Sequence, residues 1–166
     1  MVVMVETSPR AQRGVRVAVS LVLWRSEPRH WRACLASLAE QRPPFEFLGI
    51  HVNEGADELV AELRACCVHL GLPDLLITSS PENLGYAAGH DWLLTHLFGG
   101  ESPSVDGVVV MNPDVIATPD LVAELVSAVA RRELAATADA ANAAPGPLSA
   151  LAAALATFAA RALNER

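Results

Sequence analysis

Apolar positions along this chain fall into two alternating kinds of segment. Short β-branched runs leave no polar position to turn towards water, and longer stretches repeat apolar residues every three or four positions. Val17 to Leu23 is the first run and predicts a strand buried on both faces, as in a parallel sheet. Ser26-Glu-Pro28 offers a helix cap and a first-turn proline. Trp31, Cys34, Leu35 and Leu38 then share one helical face, and Gln41-Arg-Pro-Pro44 stops the helix. The unit recurs. Phe45 to Val52 predicts a second strand, and Leu59, Leu63, Cys66 and Leu70 predict a second helical stripe, closed by Gly71-Leu-Pro73. Asp74 to Ser79 predicts a third, weaker strand. A helix opens at Asn83-Leu-Gly-Tyr86 and runs to about Leu97. Val105 to Met111 is the fourth and most apolar run, left by Asn112-Pro-Asp114. Thr118-Pro-Asp-Leu121 starts another helix, whose core positions are Leu121, Leu125 and Val129.

Four strand-then-helix units predict an α/β domain: a Rossmann-like parallel sheet in a three-layer α/β/α arrangement, with right-handed crossovers. Ligands of such sheets sit outside the carboxyl ends of the strands. The loops Trp24–Glu27, Asn53–Ala56, Ser79–Gly85 and Asn112–Ile116 are therefore the places to look for chemistry. From about Ala135 the chain is mostly alanine, broken by Pro145-Gly-Pro147, with a thin stripe of Leu148, Leu151, Leu155 and Phe158. The expected organisation is a flexible segment 1–16, a ligand-binding domain 17–132, and an alanine-rich linker and helix 133–166. Residues 147–163 offer a surface for self-association or partner docking.

Composition narrows the partners. The 166 residues are 52% apolar and 19% charged, which excludes a mainly disordered chain. Net charge is −7, and every one of the twelve Lys-or-Arg positions is Arg. Such a balance argues against a binder of nucleic-acid phosphates. An anionic ligand would need a metal or helix N-termini to help hold it. Cys34, Cys66 and Cys67 have no zinc-type spacing and read as reduced thiols. Neither a signal peptide nor a membrane-spanning run is visible, so the expectation is a cytoplasmic chain, or one peripheral at the membrane.

The first loop, Trp24-Arg-Ser-Glu27, lacks the glycines of a dinucleotide fingerprint. Gly85-Tyr-Ala-Ala-Gly89 reads as close packing at a helix start. The sharpest local signal is Val108-Val-Val-Met-Asn-Pro-Asp114, an apolar strand running into a carboxylate beside a turn-fixing proline. Asp114 either coordinates Mg²⁺ or Mn²⁺ against a diphosphate or simply shapes the turn. Trp31 and Trp92 read as core, whereas Trp24 either flanks a nucleobase or roofs the sheet. The five histidines carry no ligand spacing, and Cys34 lies on an apolar stripe without a basic partner.

Three segments, in order, resemble family 2 glycosyltransferases of the rhamnosyltransferase-like branch. They are Val19-Ser-Leu-Val-Leu-Trp with Cys34-Leu-Ala-Ser-Leu, Pro81-Glu-Asn-Leu-Gly-Tyr-Ala-Ala-Gly89, and Val110-Met-Asn-Pro-Asp-Val115 with Pro119-Asp-Leu121. The likeness spans about Val17 to Arg132. It implies a GT-A fold that binds a nucleotide-diphosphate sugar and a divalent cation, Mn²⁺ or Mg²⁺. Asp114 would hold the metal and diphosphate, Asn112 would lie near the ribose, Asn83 and Gly85 would line the nucleotide side, and Asn53 and Glu54 would face the base. The acceptor would be a saccharide or a lipid-linked one. This chain has Asn53-Glu54 where the family commonly has Asp-Asn, and His90-Asp91 where it often has paired Asn. The family continues past this point into acceptor-binding strands and a catalytic carboxylate, so the expectation is a truncated donor-binding half with no assignable catalytic base. Two readings stay open: a transferase acting by inverting displacement, incomplete as this chain, or a non-catalytic nucleotide-sugar-binding or interaction module.

Overall fold

The computed structural model describes residues 2–3, 15–98 and 105–143. In chain order the elements are β1 (Val2–Val3), β2 (Val17–Trp24), α1 (Pro28–Ala39), β3 (Phe47–Asn53), α2 (Asp57–His69), β4 (Asp74–Ser80), α3 (Gly85–Phe98), β5 (Gly107–Met111) and α4 (Leu121–Ala143). The strands form one sheet in the order β1-β5-β2-β3-β4. β2, β3, β4 and β5 are parallel, as the apolar runs predict, and β1 pairs antiparallel with β5 through Val2↔Val109 and Val3↔Val108.

Every residue of β2 except Trp24 is buried. Both faces are therefore covered, which is why the run carries no alternation. One face, carrying Ser20, Val22, Gly49 and His51, receives α3. A Cβ at Gly89 would lie 2.9 Å from Val22 Cγ2, and one at Gly49 would lie 3.3 Å from Leu93 Cδ2. Ala18, Val108, Val110, Val105 and Leu97 extend this packing into one apolar cluster. On the opposite face Val19, Leu21, Leu23, Leu48, Ile50 and Val52 are all buried. The chain steps from β2 to β3 to β4 in one direction, then returns through α3 to place β5 on the other side of β2. That reversal creates a topological switch point between the carboxyl ends of β2 and β5.

Several expected boundaries move for local reasons. Phe45 is buried but precedes β3, because Pro43 and Pro44 have no N–H for a ladder, and pairing begins with Glu46 N donating to Val17 O at 2.9 Å. β5 starts at Gly107 rather than Val105. Asp106 N and Gly107 N both donate to Arg16 O, at 2.7 and 3.2 Å, and the Asp106 carboxylate accepts from Arg16 N at 2.8 Å. In α2 the buried positions are Leu63 and Cys67, so Cys66 lies beside the stripe rather than on it. Trp92 is not core: it is 42% exposed. The sheet-facing stripe of α3 is Gly89, Leu93 and Leu97, and Trp92 falls beside it, stacked on His96 with centroids 3.7 Å apart. Trp31, by contrast, is fully buried.

The segment after β5 is pinned to α1. Ser37 Oγ accepts from Ala117 N at 3.0 Å, and Gln41 Nε2 donates to Thr118 O at 2.7 Å. Gln41 Oε1 accepts from Val122 N at 3.1 Å, so a side chain just past the end of α1 caps the start of α4. The chain divides into two compact units, residues 1–8 with 16–122 and residues 9–15 with 123–166. α4 runs unbroken to Ala143, and the rest of the expected alanine-rich linker and helix 133–166, with the docking surface 147–163, lies outside the described residues. Among the described residues no helix is long and apolar enough to cross a membrane.

Candidate functional site

A cleft of about 630 Å³ opens at the switch point. That size suits a small-molecule ligand. It is lined from β2 by Val22 and Trp24, from the following loop by Arg25, Ser26, Glu27 and His30, and from β3 by Asn53. Asn83, Gly85 and Tyr86 line it at the start of α3, and Asn112, Pro113 and Asp114 after β5. Of the residues singled out from the sequence, Asn53, Asn83, Gly85, Asn112 and Asp114 are brought together here from three different segments of chain. Glu54 does not line the cleft. Its carboxylate is engaged by Trp24 Nε1 and Arg25 Nε, each donating to Oε2 at 3.1 Å.

Asn53 lines the cleft but spends its side chain on the fold. Oδ1 accepts from Leu84 N at 3.0 Å and Nδ2 donates to Gly85 O at 3.3 Å. This amide holds the turn that starts α3. Asn83 completes the turn, with Oδ1 accepting from Gly85 N at 2.9 Å. Gly85 itself has φ +83°, a conformation that favours glycine. The turn aims the N-terminus of α3 at the cleft, and α1 begins at the same cleft through Glu27 and His30. Two helix N-termini thus bring positive ends of their dipoles to one cavity.

Asp114 carries a carboxylate that no hydrogen bond or ion pair engages among the described residues. Its charge is felt below: burial first and Asp114 second push the Cys34 thiol up to about 12, and that thiol donates to Asn112 O at 3.9 Å. Cys34 is therefore no nucleophile at neutral pH. No group of three or more His, Cys, Asp or Glu side chains suited to a metal occurs among the described residues. The donor set does not fit a resident metal held by protein alone. It fits a cation arriving with a diphosphate, since Mg²⁺ commonly takes one or two carboxylates and completes its shell with phosphate oxygens and water.

Beneath the cleft lie two buried histidines. His51 Nδ1 is 2.9 Å from Thr78 Oγ1 and its Nε2 is 3.2 Å from Ser80 Oγ. Ser80 Oγ donates to Glu82 O at 2.6 Å, so it is placed to accept a hydrogen bond from His51 Nε2–H, which leaves His51 Nδ1 to accept from the Thr78 hydroxyl. His90 Nδ1 is 2.7 Å from Ser20 Oγ, and its buried Nε2 has no partner among the described residues. Burial lowers the pKa of both, that of His90 to about 4. Tyr86 packs edge-on against His90 at 4.4 Å. These histidines support the floor of the cleft and do not line it.

Sequence reasoning placed the Trp24–Glu27 loop at the site but did not single out Arg25 or Tyr86. The signal for Arg25 was present: a cation directly after a buried strand in a chain without lysine. Tyr86 carried none beyond its place in the Asn-Leu-Gly segment.

The fold and cleft define a Rossmann-like α/β protein with a ligand-sized cavity at its switch point. Compared with family models and with curated proteins, the chain finds no match.

Proposed function

We propose that this chain binds a nucleotide-diphosphate sugar together with Mg²⁺ or Mn²⁺, as the donor-binding part of a glycosyltransferase. The observation that carries this reading is the Asp114 carboxylate, unpaired among the described residues, in a cleft bordered by two helix N-termini. Asp114 holds a cation against the diphosphate, and the starts of α1 and α3 add their dipoles to that anion. Trp24 and Tyr86, 48% and 46% exposed, offer flat apolar faces for the nucleoside. A divalent cation there supplies charge neutralisation of the departing diphosphate. In the transfer, a bond forms from an acceptor hydroxyl oxygen to the anomeric carbon as the bond to the diphosphate breaks, with inversion.

Binding without transfer is the second reading, and one observation favours it. The carboxylates lining the cleft are Asp114 and Glu27, and Glu27 is ion-paired with Arg29 at 2.7 Å. With Asp114 given to the cation, none of the described cleft residues offers an unpaired carboxylate for the acceptor proton, a role worth typically about 100- to 10,000-fold. Calorimetry with a panel of nucleoside diphosphates, with and without Mn²⁺, tests the common core of both readings. The expected result is metal-dependent binding in wild type that Asp114→Ala loses. Equal metal dependence in the variant overturns it. Incubation with labelled sugar nucleotides and acceptors then separates transfer from binding.

A further inference from the structure

Arg25 sits on the middle one of three adjacent strand ends, between two carboxylates. On one side, Trp24 and Asn53 are the last register pair of β2 and β3, so Arg25 and Glu54 leave the sheet side by side. Both take left-handed backbone, φ 50° and 53°, which residues with a Cβ rarely hold. There Glu54 Oε2 accepts from Arg25 Nε and from Trp24 Nε1, and the guanidinium lies 5.2 Å from the Trp24 ring. On the other side, β2 pairs with β5 through Leu21↔Met111. The chain turns directly after Met111, and Asp114 in that turn lines the same cleft as Trp24 and Arg25. Arg25 and Asp114 thus border one cleft from neighbouring strand ends, yet the arginine is paired with Glu54.

We propose that Glu54 is a positioning residue that holds Arg25 on the β3 side of the cleft and so keeps the Asp114 carboxylate open to a divalent cation. This rests on the reading of Asp114 as the cation ligand. An arginine cannot be deprotonated, so a guanidinium paired with Asp114 would compete with the cation at every working pH. The two left-handed residues and the shared carboxylate oxygen build a clasp that removes this competitor. Glu54 thus acts through Arg25, not by touching the ligand.

The test compares the effect of Glu54→Ala in two backgrounds. Calorimetry uses Mn²⁺ with the nucleoside diphosphate that binds best in the panel. Glu54→Ala should weaken Mn²⁺-dependent binding about fivefold, the scale of one exposed ion pair. In the Arg25→Gln background, Glu54→Ala should change nothing. A loss that persists there overturns the proposal, since Glu54 would then act on the ligand or through Trp24 alone. A second measurement needs no ligand: the carboxyl carbon resonance of Asp114, assigned with Asp114→Asn. It should shift on Glu54→Ala and stay put when the same change is made in the Arg25→Gln background. An unmoved resonance on Glu54→Ala overturns the clasp even if nucleotide binds. Absence of metal-dependent binding in wild type, with the resonance shifting as expected, sinks the proposed function and leaves the clasp standing.

Discussion

Asn53 Nδ2 donates to the carbonyl of Gly85 at 3.3 Å, joining the end of β3 to the first residue of α3. The same amide accepts from Leu84 N at 3.0 Å. Asn53→Ala leaves both backbone groups without these partners. The expected loss is about 1–3 kcal/mol of stability. Asn53→Asp keeps the acceptor for Leu84 N but not the donor for Gly85 O, and should fall between. Urea denaturation with an unchanged slope would register both. An unaltered midpoint in Asn53→Ala would mean that the turn stands without this amide.

Gly89 lets α3 approach the sheet. A Cβ there would lie 2.9 and 3.0 Å from the two Cγ atoms of Val22 and 3.1 Å from His51 Cδ2. Valine is stiff about χ1 and cannot swing aside cheaply. In an exposed helix Gly→Ala would stabilise by about 1 kcal/mol. Here Gly89→Ala should instead destabilise by about 1–3 kcal/mol through overpacking. Thermal melting decides the sign.

Acid should weaken the fold through His90. Burial, and after it the neighbouring His51, bring its pKa from 6.5 to about 4. Among the described residues, the groups facing it are Ser20 on β2, His51 on β3 and Tyr86 on its own helix. With the native pKa lower, the unfolded chain takes up the proton first as pH falls through 6.5. Stability from the neutral imidazole is complete above that pH and drains away down to about 4. The loss from His90 should approach about 3 kcal/mol at the acid end. His51, also lowered by burial, adds to it in the same direction. Urea midpoints across this window should fall less steeply in His90→Gln, and an identical slope would count against the assignment.

The thiols should differ in reactivity. Burial pushes Cys34 up to about 12 and Cys67 up to about 11. Cys66, partly exposed, is raised too, again chiefly by burial. Iodoacetamide at about pH 8 attacks thiolate, so it should label Cys66 slowly and leave Cys34 and Cys67 untouched until denaturant is added. Peptide mapping reads the order directly. Early labelling of Cys34 would show that the sheet opens near the Asn112–Asp114 turn.

β2 and β5 were legible because a strand buried on both faces must be apolar at nearly every position, and Val17–Leu23 and Val108–Met111 are, whereas β4, at the sheet edge and only half-buried, gave the weaker signal. The Asn112-Pro-Asp114 turn was legible for a local reason as well: proline and a carboxylate directly after a buried strand can only leave the sheet at its ligand edge. The Ser79–Gly85 loop followed from the same logic of loops after strands, and the resemblance singled out Asn83 and Gly85 within it. Strand order was not legible. It alone sets β2 between β3 and β5, and so sets Arg25 between Glu54 and Asp114. Periodicity likewise marked α3 as a helix, but the stripe that meets the sheet was decided by Gly89 fitting under Val22, which turned Trp92 outward. Asn53 was read as a ligand contact, and only the return of the chain 31 residues later supplied the Leu84 amide that uses its oxygen. Local pattern determines which segments form strands and helices, because burial and capping act within a few residues. Which side chains meet is decided by packing between segments far apart in the chain, and a single sequence carries that information only through the fold.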